Sequence, residues 1–401
     1  MTHASTLARP STTTEPDPAG QDRTRSVPAA GMAAALGLFL AARLLGVAAL
    51  ATATRTSAGR GPFGLLGLSW DSLWYLGIAA HGYAPTPHLR PGVYSDLAFF
   101  PLYPALVRAV YGLTPLGGGA AGLLVSWTAA AVAACGIYAV GARLHGRAVA
   151  VALVLLWGLL PHSVVLSMAY TEPVLTALAA WSLYAVLTGR WLWAGALAAL
   201  AGLSRPNGLA VAAAVLAAAA YEMGRCLRER RGVSHRLWTG ALLAPAGWAA
   251  YVLWVGHRTG DLLGGYFQVQ RLWGSRFDLG AGALKFVRHL LLQGDRLVFP
   301  MTMMIVAAAV VLFALLIADR APLPLLVYSG VLLLIVLGGS GYFESKPRFL
   351  LPAFPLLLPL ARALVRTARA RPRHATVVVG ALAGLSFGYG AYLVALAHMP
   401  L

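Results

Sequence analysis

Runs of about 20 apolar residues recur along this chain and limit its fold more than any other feature. A helix of about 20 residues is needed to cross a hydrocarbon core of ~30 Å. Soluble domains carry about 25% charged residues, whereas 11% of these 401 residues are charged and 59% are hydrophobic. The sequence therefore predicts an all-α polytopic membrane protein with about 11 transmembrane helices, in a range of about 10–12. The expected spans are 31–54, 119–141, 148–160, 173–188, 191–203, 209–223, 237–256, 298–318, 323–340, 349–365 and 375–397.

The N-terminal segment has a different composition from the rest of the chain. Residues 1–29 are rich in Ser, Thr, Pro and Arg and lack apolar periodicity, which is typical of a disordered tail. We expect this tail in the cytoplasm and a single transmembrane domain over residues 30–401. A cleaved signal peptide is the alternative for the first span, although the length of the span and the many later spans favour an uncleaved helix.

Positive charge predicts the orientation of the chain. The net charge is +18, but the arginines cluster in short loops between apolar spans, so the charge does not indicate nucleic-acid binding. The basic loops 224–236 and 362–373 are assigned to the cytoplasm by the positive-inside rule. Two long loops, 55–118 and 257–297, then face outward. The first is rich in Pro, Gly and aromatic residues and is expected to contain helices that lie along the membrane surface.

Five polar motifs interrupt the apolar sequence, and two expected spans separate each consecutive pair. All five therefore fall on the outer face. Polar groups at membrane depth usually face a cavity or the interior of the helix bundle, so we expect one outward-facing site. The motifs are WDSLWYLG with Asp71, SMAYTEPV with Glu172, SRPNG with Arg205 and Asn207, QVQRLWG with Gln268 and Arg271, and ESKPRFLLP with Glu344, Lys346 and Arg348.

Asp71 is the candidate catalytic base. It lies among Trp70, Trp74 and Tyr75 in a chain that has only 13 acidic residues. A carboxylate close to apolar rings is poorly hydrated, which helps it to accept a proton. The alternative is a helix-terminal aspartate that interacts with free backbone N–H groups. The three aromatic residues are expected to shape a sugar pocket or to anchor the loop at the membrane surface.

The second and third motifs supply candidate substrate-binding residues. Glu172 offers a second carboxylate that can orient sugar hydroxyls; alternatively, it only begins a helix ahead of Pro173. Arg205 has a planar fork that suits phosphate, with snorkelling to lipid head groups as the alternative. Asn207 is the only asparagine of the chain, although Pro-Asn-Gly is also ordinary turn chemistry.

The last motif predicts a phosphate site. Lys346 and Arg348 stand at the start of a membrane helix, where a cation is unfavourable unless a bound anion offsets the helix dipole. Head-group anchoring is the alternative. Glu344 can pair with either cation, and Gln268 and Arg271 complete the set of candidate substrate-binding residues.

Several other classes of protein are disfavoured. The histidines of the outer loops lack metal-ligand spacing, so we expect no required cofactor and no tightly bound metal, without excluding a divalent ion. The chain has no P-loop and no dinucleotide-binding fingerprint, which argues against ATP-driven transport.

The motifs together resemble PIG-V-type mannosyltransferases of the GPI mannosyltransferase 2 kind, in their bacterial branch. WDSLWYLGIAAHGY followed by DLAFFPLYPALVR resembles the first outer loop of that family. SMAYTEPV, SRPNG and ESKPRFLLP resemble three later family motifs, in order, so the match runs from about residue 65 to 360. The chain departs from the family pattern at Thr171, where Ser is usual, and at Lys346. The resemblance implies a glycosyltransferase-C-like bundle, a polyprenyl- or dolichyl-phosphate sugar donor and an essential acidic residue at the position of Asp71.

These observations predict a membrane glycosyltransferase with an inverting mechanism. It would move a hexose, for which the resemblance implies mannose, from a polyprenyl-phosphate carrier to a glycolipid or cell-envelope glycan on the extracytoplasmic face. The expected partners are that donor, that acceptor and membrane lipid, with no nucleic acid. The abundance of Ala and Arg is typical of a GC-rich, actinobacterial-type genome. A transporter or flippase of lipid-linked sugars, with polar groups near the midplane, and a non-catalytic scaffold are the alternatives.

Overall fold

A computed structural model describes residues 29–55, 61–85, 93–293 and 296–397 of the chain. The expected disordered tail lies outside these ranges except for Ala29, which begins the first helix. Within the described residues, regular structure is helical apart from one short two-stranded sheet.

The helices follow the apolar runs closely. In chain order they are α1 Ala29–Thr54, α2 Pro62–Gly67, α3 Asp71–His81, α4 Leu102–Leu113, α5 Gly118–His145, α6 Arg147–Gly158, α7 Glu172–Leu187, α8 Trp191–Ser204, α9 Leu209–Arg228, α10 His235–Leu243, α11 Ala246–Thr259, α12 Gly265–Leu272, α13 Ala281–Gln293, α14 Val298–Ala318, α15 Leu323–Gly338, α16 Lys346–Leu350, α17 Leu358–Ala370 and α18 Pro372–Ala395. Short 3₁₀ helices lie at Asp96–Ala98, Ser163–Ser167, Pro206–Gly208, Phe343–Ser345 and Phe354–Leu357.

Six segments of the described chain are long and apolar enough to cross a membrane, and a seventh is added if the bent segment 343–370 counts as one span. The arms of that segment meet at 76°, because Pro352 and Pro355 interrupt the helix between them. Four further expected spans correspond to the shorter apolar helices α6, α7, α8 and α15. An all-α membrane bundle is therefore confirmed, whereas the number of about 11 spans stays a prediction.

Helix α7 lies at the centre of the bundle. It packs against α5, α8 and α9, and most of its residues, including Glu172 and Thr176, are buried. In contrast, α1 and α14 leave large apolar side chains such as Leu44 and Val311 exposed, on surfaces that a hydrocarbon core would cover. Glu172, the first residue of α7, is thus enclosed by the bundle.

Close backbone contact joins α8 to α10 and α11. A Cβ atom at Gly247 would collide with the carbonyl oxygen of Ala199, and one at Gly195 would collide with the carbonyl oxygen of Gly240. Small residues at such points allow membrane helices to approach each other. This contact fixes the end of α8, which leads directly into Arg205.

Replacing Gly247 by valine is expected to destabilise the bundle by about 1–3 kcal/mol, since the new side chain would force α8 and α11 apart. The melting temperature of the purified protein in detergent measures the effect. Gly384→Val in α18 is the matched control, because a Cβ atom at Gly384 meets no atom within 4 Å. Equal melting temperatures for the two variants would contradict the close contact.

A small sheet ties the second long loop to the last polar motif. Strand β1 (Arg276–Phe277) pairs antiparallel with β2 (Gly339–Ser340), with Arg276 opposite Ser340. Because β2 directly follows α15 and precedes the segment that carries Arg348, the sheet fixes this loop beside that segment. The three short helices α2, α3 and α4 occupy the first long loop, as the sequence predicts, and pack on α5.

Candidate active site

The backbone at Trp70 is strained, and Asp71 follows it directly. Trp70 has φ 49° and ψ −118°, a combination that non-glycine residues rarely adopt and that is often found at functional sites. Asp71 is the first residue of α3, where a carboxylate is favoured by the helix dipole. The helix-terminal interpretation therefore describes the backbone of Asp71 correctly, but the carboxylate also has a distant partner.

Four charged side chains from four parts of the chain form one network, which we call the ion-pair cluster: Asp71, Glu172, Arg205 and Arg348. Arg348 Nη2 lies 2.8 Å from Asp71 Oδ2, and Arg348 Nε lies 3.7 Å from Glu172 Oε1. Arg205 Nη1 pairs with the same oxygen of Glu172. Two carboxylates and two guanidiniums therefore alternate along a single chain of contacts.

Burial differs along the ion-pair cluster. The Glu172 side chain is 1% exposed and the two arginine side chains are each 9% exposed, whereas the Asp71 side chain is 20% exposed. Asp71 is thus the member that a molecule from outside can reach most easily. Glu172 is enclosed, so it orders the arginines rather than meeting solvent.

Proline residues place the two arginines. Arg205 ends α8 in an extended conformation, with φ −161° and ψ 160°, because the residue before a proline, here Pro206, is disfavoured in the helical region. Arg348 belongs to the short arm α16, which is separated from α17 by the 76° bend. Both side chains are therefore presented from helix breaks, where the chain turns back towards α7.

Aromatic rings cover both guanidiniums. Phe349 lies between them, with its ring centroid 5.4 Å from Arg205 Cζ and 5.2 Å from Arg348 Cζ. Tyr170 lies against Arg348 at 5.3 Å. Desolvated cation–π contacts of this kind stabilise a buried cation by about 2 kcal/mol. The aromatic rings and the two carboxylates together hold the arginines in position.

Arg348 has capacity for a ligand. Its Nε and Nη1 are both buried without a hydrogen-bond partner within the described ranges. Nε still lies 3.7 Å from Glu172 Oε1, so Nη1 is the nitrogen without a described ion-pair contact. A buried donor without a partner costs about 1–3 kcal/mol or more when it is charged. An oxyanion beside Asp71 would satisfy this donor.

Thr171 and Tyr75 extend the ion-pair cluster. Arg205 Nη1 donates to Thr171 Oγ1 at 3.1 Å, and that oxygen lies 3.4 Å from the Tyr75 hydroxyl. Burial raises the pKa of Tyr75 to about 12, so its hydroxyl stays neutral at physiological pH. Thr171, one of the two positions at which the chain departs from the motifs it resembles, is therefore in direct contact with a candidate phosphate-binding arginine.

An aromatic wall stands next to Asp71. Trp74 stacks on Phe99 at 5.6 Å and meets the edge of Trp273 at 5.2 Å, and Tyr94 lies 4.5 Å from Trp273. Tyr94 is 52% exposed, so the wall reaches solvent. The sequence motifs identify Trp74 as a candidate but not Tyr94 or Trp273, although Trp273 lies inside the QVQRLWG motif.

Three candidate residues lie apart from the ion pairs. Arg271 is exposed and Gln268 is half-buried on α12. Other residues of that helix contact the first loop: Gln270 Nε2 donates to the carbonyl oxygen of Ala98 at 3.4 Å, and the Tyr266 ring lies 5.7 Å from that of Phe100. Glu344 forms no ion pair with Lys346 or Arg348 among the residues that the structure describes.

Asn207 is buried in the 3₁₀ turn that follows Arg205. Its Nδ2 has no hydrogen-bond partner within the described chain. A Cβ atom at the next residue, Gly208, would collide with the carbonyl oxygen of Ala201. The Pro-Asn-Gly sequence is therefore required by the tight return of the chain onto α8, and Asn207 is next to, not within, the ion-pair cluster.

Lys346 faces a helix end. Its ammonium donates to the carbonyl oxygen of Gly339 at 2.8 Å and also to that of Val336, at the C-terminus of α15. A cation is favourable at the negative end of the helix dipole. These contacts give Lys346 a structural position that differs from the predicted phosphate contact.

Lys346→Met is expected to lower stability by about 1–3 kcal/mol, because the carbonyl groups at the end of α15 lose a charged donor. Donor affinity should stay within about twofold of the wild type. Lys285→Met, at the other lysine, which is exposed, is the control for loss of positive charge. Thermal unfolding and donor binding are measured together, and a large loss of donor affinity in Lys346→Met alone would return this residue to the phosphate site.

Arg43, in the middle of α1, has carbonyl partners but no acidic partner in the described structure. Its guanidinium donates to the carbonyl oxygens of Ser163, at 2.5 Å, and Gly158. Gly158 is the last residue of α6, where carbonyl groups lack partners within the helix. Within the described residues, no three His, Cys, Asp or Glu side chains lie close enough together to hold a metal ion. Independence from metal stays a prediction.

Sequence comparison and structure comparison give different results. No protein-family model and no curated protein matches the sequence. The fold, however, matches solved structures of membrane enzymes. The apo crystal structure of the Archaeoglobus fulgidus oligosaccharyltransferase aligns with a TM-score of 0.52 at 15% identity, over 92% of this chain and 56% of that one.

Two further matches contain lipid phosphates. The Archaeoglobus fulgidus oligosaccharyltransferase AglB, in complex with an inhibitory peptide and a dolichol-phosphate, gives a TM-score of 0.51 at 14% identity over 90% of this chain and 56% of that one. ArnT from Cupriavidus metallidurans, bound to undecaprenyl phosphate, gives 0.51 at 18% identity over 86% and 62%.

These matches show a shared fold. The chain spans less than two thirds of the length of each of the three structures, so the likeness concerns the helix bundle and not the whole of those proteins. The glycosyltransferase-C-like bundle that the motifs imply is therefore confirmed as the fold class.

Proposed function

We propose that the chain is a membrane glycosyltransferase that moves a hexose from a polyprenyl-phosphate carrier to a glycolipid or cell-envelope glycan on the extracytoplasmic face. The observation that carries the proposal is the pairing of Asp71, a partly exposed carboxylate, with Arg348, a buried guanidinium that has an unpartnered nitrogen. A base and an oxyanion-binding group thus stand side by side.

The reaction is a single displacement. A hydroxyl of the acceptor attacks C1 of the donor sugar while Asp71 takes its proton. The bond between C1 and the phosphate oxygen breaks, and the phosphate leaves with the electron pair from the opposite face of the ring. This geometry inverts the configuration at C1, by the same argument as for inverting glycosidases.

Arg348 gives the leaving phosphate its electrostatic stabilisation. Its Nη1 is free to donate, and its Nη2 is held by Asp71, so a phosphate oxygen and the carboxylate compete for one guanidinium. Charge that develops on the leaving oxygen strengthens the contact to Arg348 and releases Asp71 to hold the incoming proton. Arg205, two contacts away through Glu172, keeps Arg348 in place and supplements the positive field.

The aromatic wall suits a sugar ring. Trp74, Trp273 and Tyr94 present ring faces beside Asp71, and such faces pack against the C–H surface of a hexose while hydroxyls reach polar groups. Tyr75 supports this wall, since its ring meets that of Phe99 edge-on at 5.1 Å, whereas Trp70 packs against the main apolar core of the bundle. The structures that share the fold contain a dolichol-phosphate and undecaprenyl phosphate, which supports a lipid phosphate as the donor.

Mannose is the proposed sugar because the order of the motifs resembles that of PIG-V-type mannosyltransferases. The test uses purified protein in nanodiscs, radiolabelled mannosyl phosphoryl polyprenol and a lipid extract of the host. The expected result is label in a new glycolipid, whose mass identifies the acceptor. A parallel reaction with glucosyl phosphoryl polyprenol examines the choice of sugar.

Two outcomes would contradict the proposal in different ways. Transfer from the glucosyl donor alone would replace mannose but keep the enzyme class. An intact donor that crosses the bilayer of proteoliposomes in the presence of the protein, with no transfer to any acceptor, would replace the enzyme with a flippase.

A further inference from the structure

A second charged site lies at the other end of the bundle from the ion-pair cluster. A groove of about 970 Å³ runs between the start of α1, the start of α6 and the end of α17. Helix α6 begins in this groove at Arg147 and ends at Gly158, about 16 Å further along its axis, where the chain turns towards Glu172. The groove is therefore separate from the candidate active site.

The groove carries uncompensated positive charge. Arg362 pairs with Asp319 at 2.7 Å, but Arg147, Arg366 and Arg369 are exposed and have no acidic partner in the part of the chain that the structure describes. Residues 362, 366 and 369 lie on one face of α17, where like charges three and four residues apart repel each other. A bound anion would remove this repulsion.

Part of the groove's lining is apolar. Ala34 of α1, Val149 and Val151 of α6 and Val365 of α17 contribute to its walls beside the arginines. A small inorganic anion would use the arginines alone and leave this apolar surface exposed. An amphipathic anion would contact both kinds of residue. Its charged group would bind the arginines of α17 and of the start of α6, and its acyl chains would pack along the valines.

We propose that this groove binds the head group of an anionic phospholipid. The phosphodiester oxygens accept hydrogen bonds from Arg147, Arg366 and Arg369, in the manner of basic pockets between transmembrane helices. Three unpaired guanidiniums match a head group with two phosphates better than one with a single phosphate. The lipid links α6 to α17, and it therefore acts as a brace between two helices that both lead to the ion-pair cluster.

The test is lipid binding to the full chain in detergent, read by native mass spectrometry and by melting temperature. The probes are cardiolipin with two phosphates, phosphatidylglycerol with one, zwitterionic phosphatidylcholine, and soluble pyrophosphate. Cardiolipin is expected to bind most tightly and to raise the melting temperature, since a ligand that binds only the folded state stabilises it. Binding should weaken as salt is increased.

Two double variants separate the groove from a generally basic surface. Arg366→Gln with Arg369→Gln is expected to weaken cardiolipin binding about tenfold or more. Arg371→Gln with Arg373→Gln removes two exposed arginines nearby that do not line the groove, and should leave binding nearly unchanged. All four arginines are exposed, so both double variants should fold. The affinities of the wild type for the four probes test the proposal even if a variant fails to fold.

The proposal fails if phosphatidylcholine binds as tightly as cardiolipin, or if both double variants lose affinity equally. Pyrophosphate that binds as tightly as cardiolipin would replace the lipid with a soluble polyphosphate anion. None of these outcomes depends on sugar transfer.

Discussion

Asp71→Asn is expected to reduce sugar transfer by about 10²–10⁴-fold, which is the usual contribution of a positioned general base. Asparagine has nearly the same shape and keeps an oxygen towards Arg348, so the loss isolates the negative charge and the proton acceptor. The measurement is the initial rate of transfer from mannosyl phosphoryl polyprenol under saturating donor.

Donor affinity distinguishes a catalytic role of Asp71 from a structural one. Arg348 pairs with Asp71, and on the proposed mechanism it also binds the donor phosphate, so removing the carboxylate charge should leave donor binding equal to the wild type or tighter. Asp261→Asn is the control: this exposed loop carboxylate accepts from the backbone N–H of Gly264 at 2.9 Å and lies outside the ion-pair cluster. Near-normal turnover in a folded Asp71→Asn variant would show that Asp71 is not the general base.

Glu172→Gln is expected to produce the largest loss of stability, about 3–5 kcal/mol, because it removes one partner from a buried ion-pair network. Glu172 is 1% exposed and contacts both Arg205 and Arg348. Its loss leaves two buried cations facing one carboxylate. Thermal unfolding in detergent measures the change.

Glu229→Gln is a matched control, since Glu229 also contacts two arginines, Arg231 at 2.5 Å and Arg225 at 3.8 Å, but its side chain is 49% exposed. Exposed pairs contribute only about 0–1 kcal/mol. A double variant, Glu172→Gln with Arg205→Gln, should be less destabilised than the sum of its parts, because the second change removes an unpaired charge. If Glu172→Gln and Glu229→Gln are equally stable, the buried network does not stabilise the bundle.

Sequence reasoning predicted the helices well because apolar runs and prolines are local signals. The span expected at 298–318 coincides with α14, and most of the others differ from the helices by a few residues. The convergence of Asp71, Glu172, Arg205 and Arg348 also follows from local information, since two expected spans between consecutive motifs would return each motif to the same face.

Side-chain direction was less accessible from the sequence. Lys346 and Arg348 are two residues apart on α16, and residues at that spacing point to different sides of a helix. Only one of them can face Asp71: in the structure it is Arg348, whereas Lys346 contacts the end of α15. Likewise, Tyr266 and Val269 form the buried face of α12, which turns Arg271 to solvent and leaves Gln268 away from the charges. These choices depend on packing between distant helices.

The ion-pair cluster is electrically balanced, with two carboxylates against two guanidiniums, and this balance has a consequence for turnover. On the proposed mechanism, the donor enters with one negative charge and the spent carrier holds two, while Asp71 has become neutral by taking the acceptor's proton. The total charge is thus unchanged across the chemical step. When Asp71 then loses its proton to water, the site carries one negative charge too many, and the carboxylate reclaims Arg348 from the phosphate. The contact that holds the resting site together is therefore also the force that expels the used lipid.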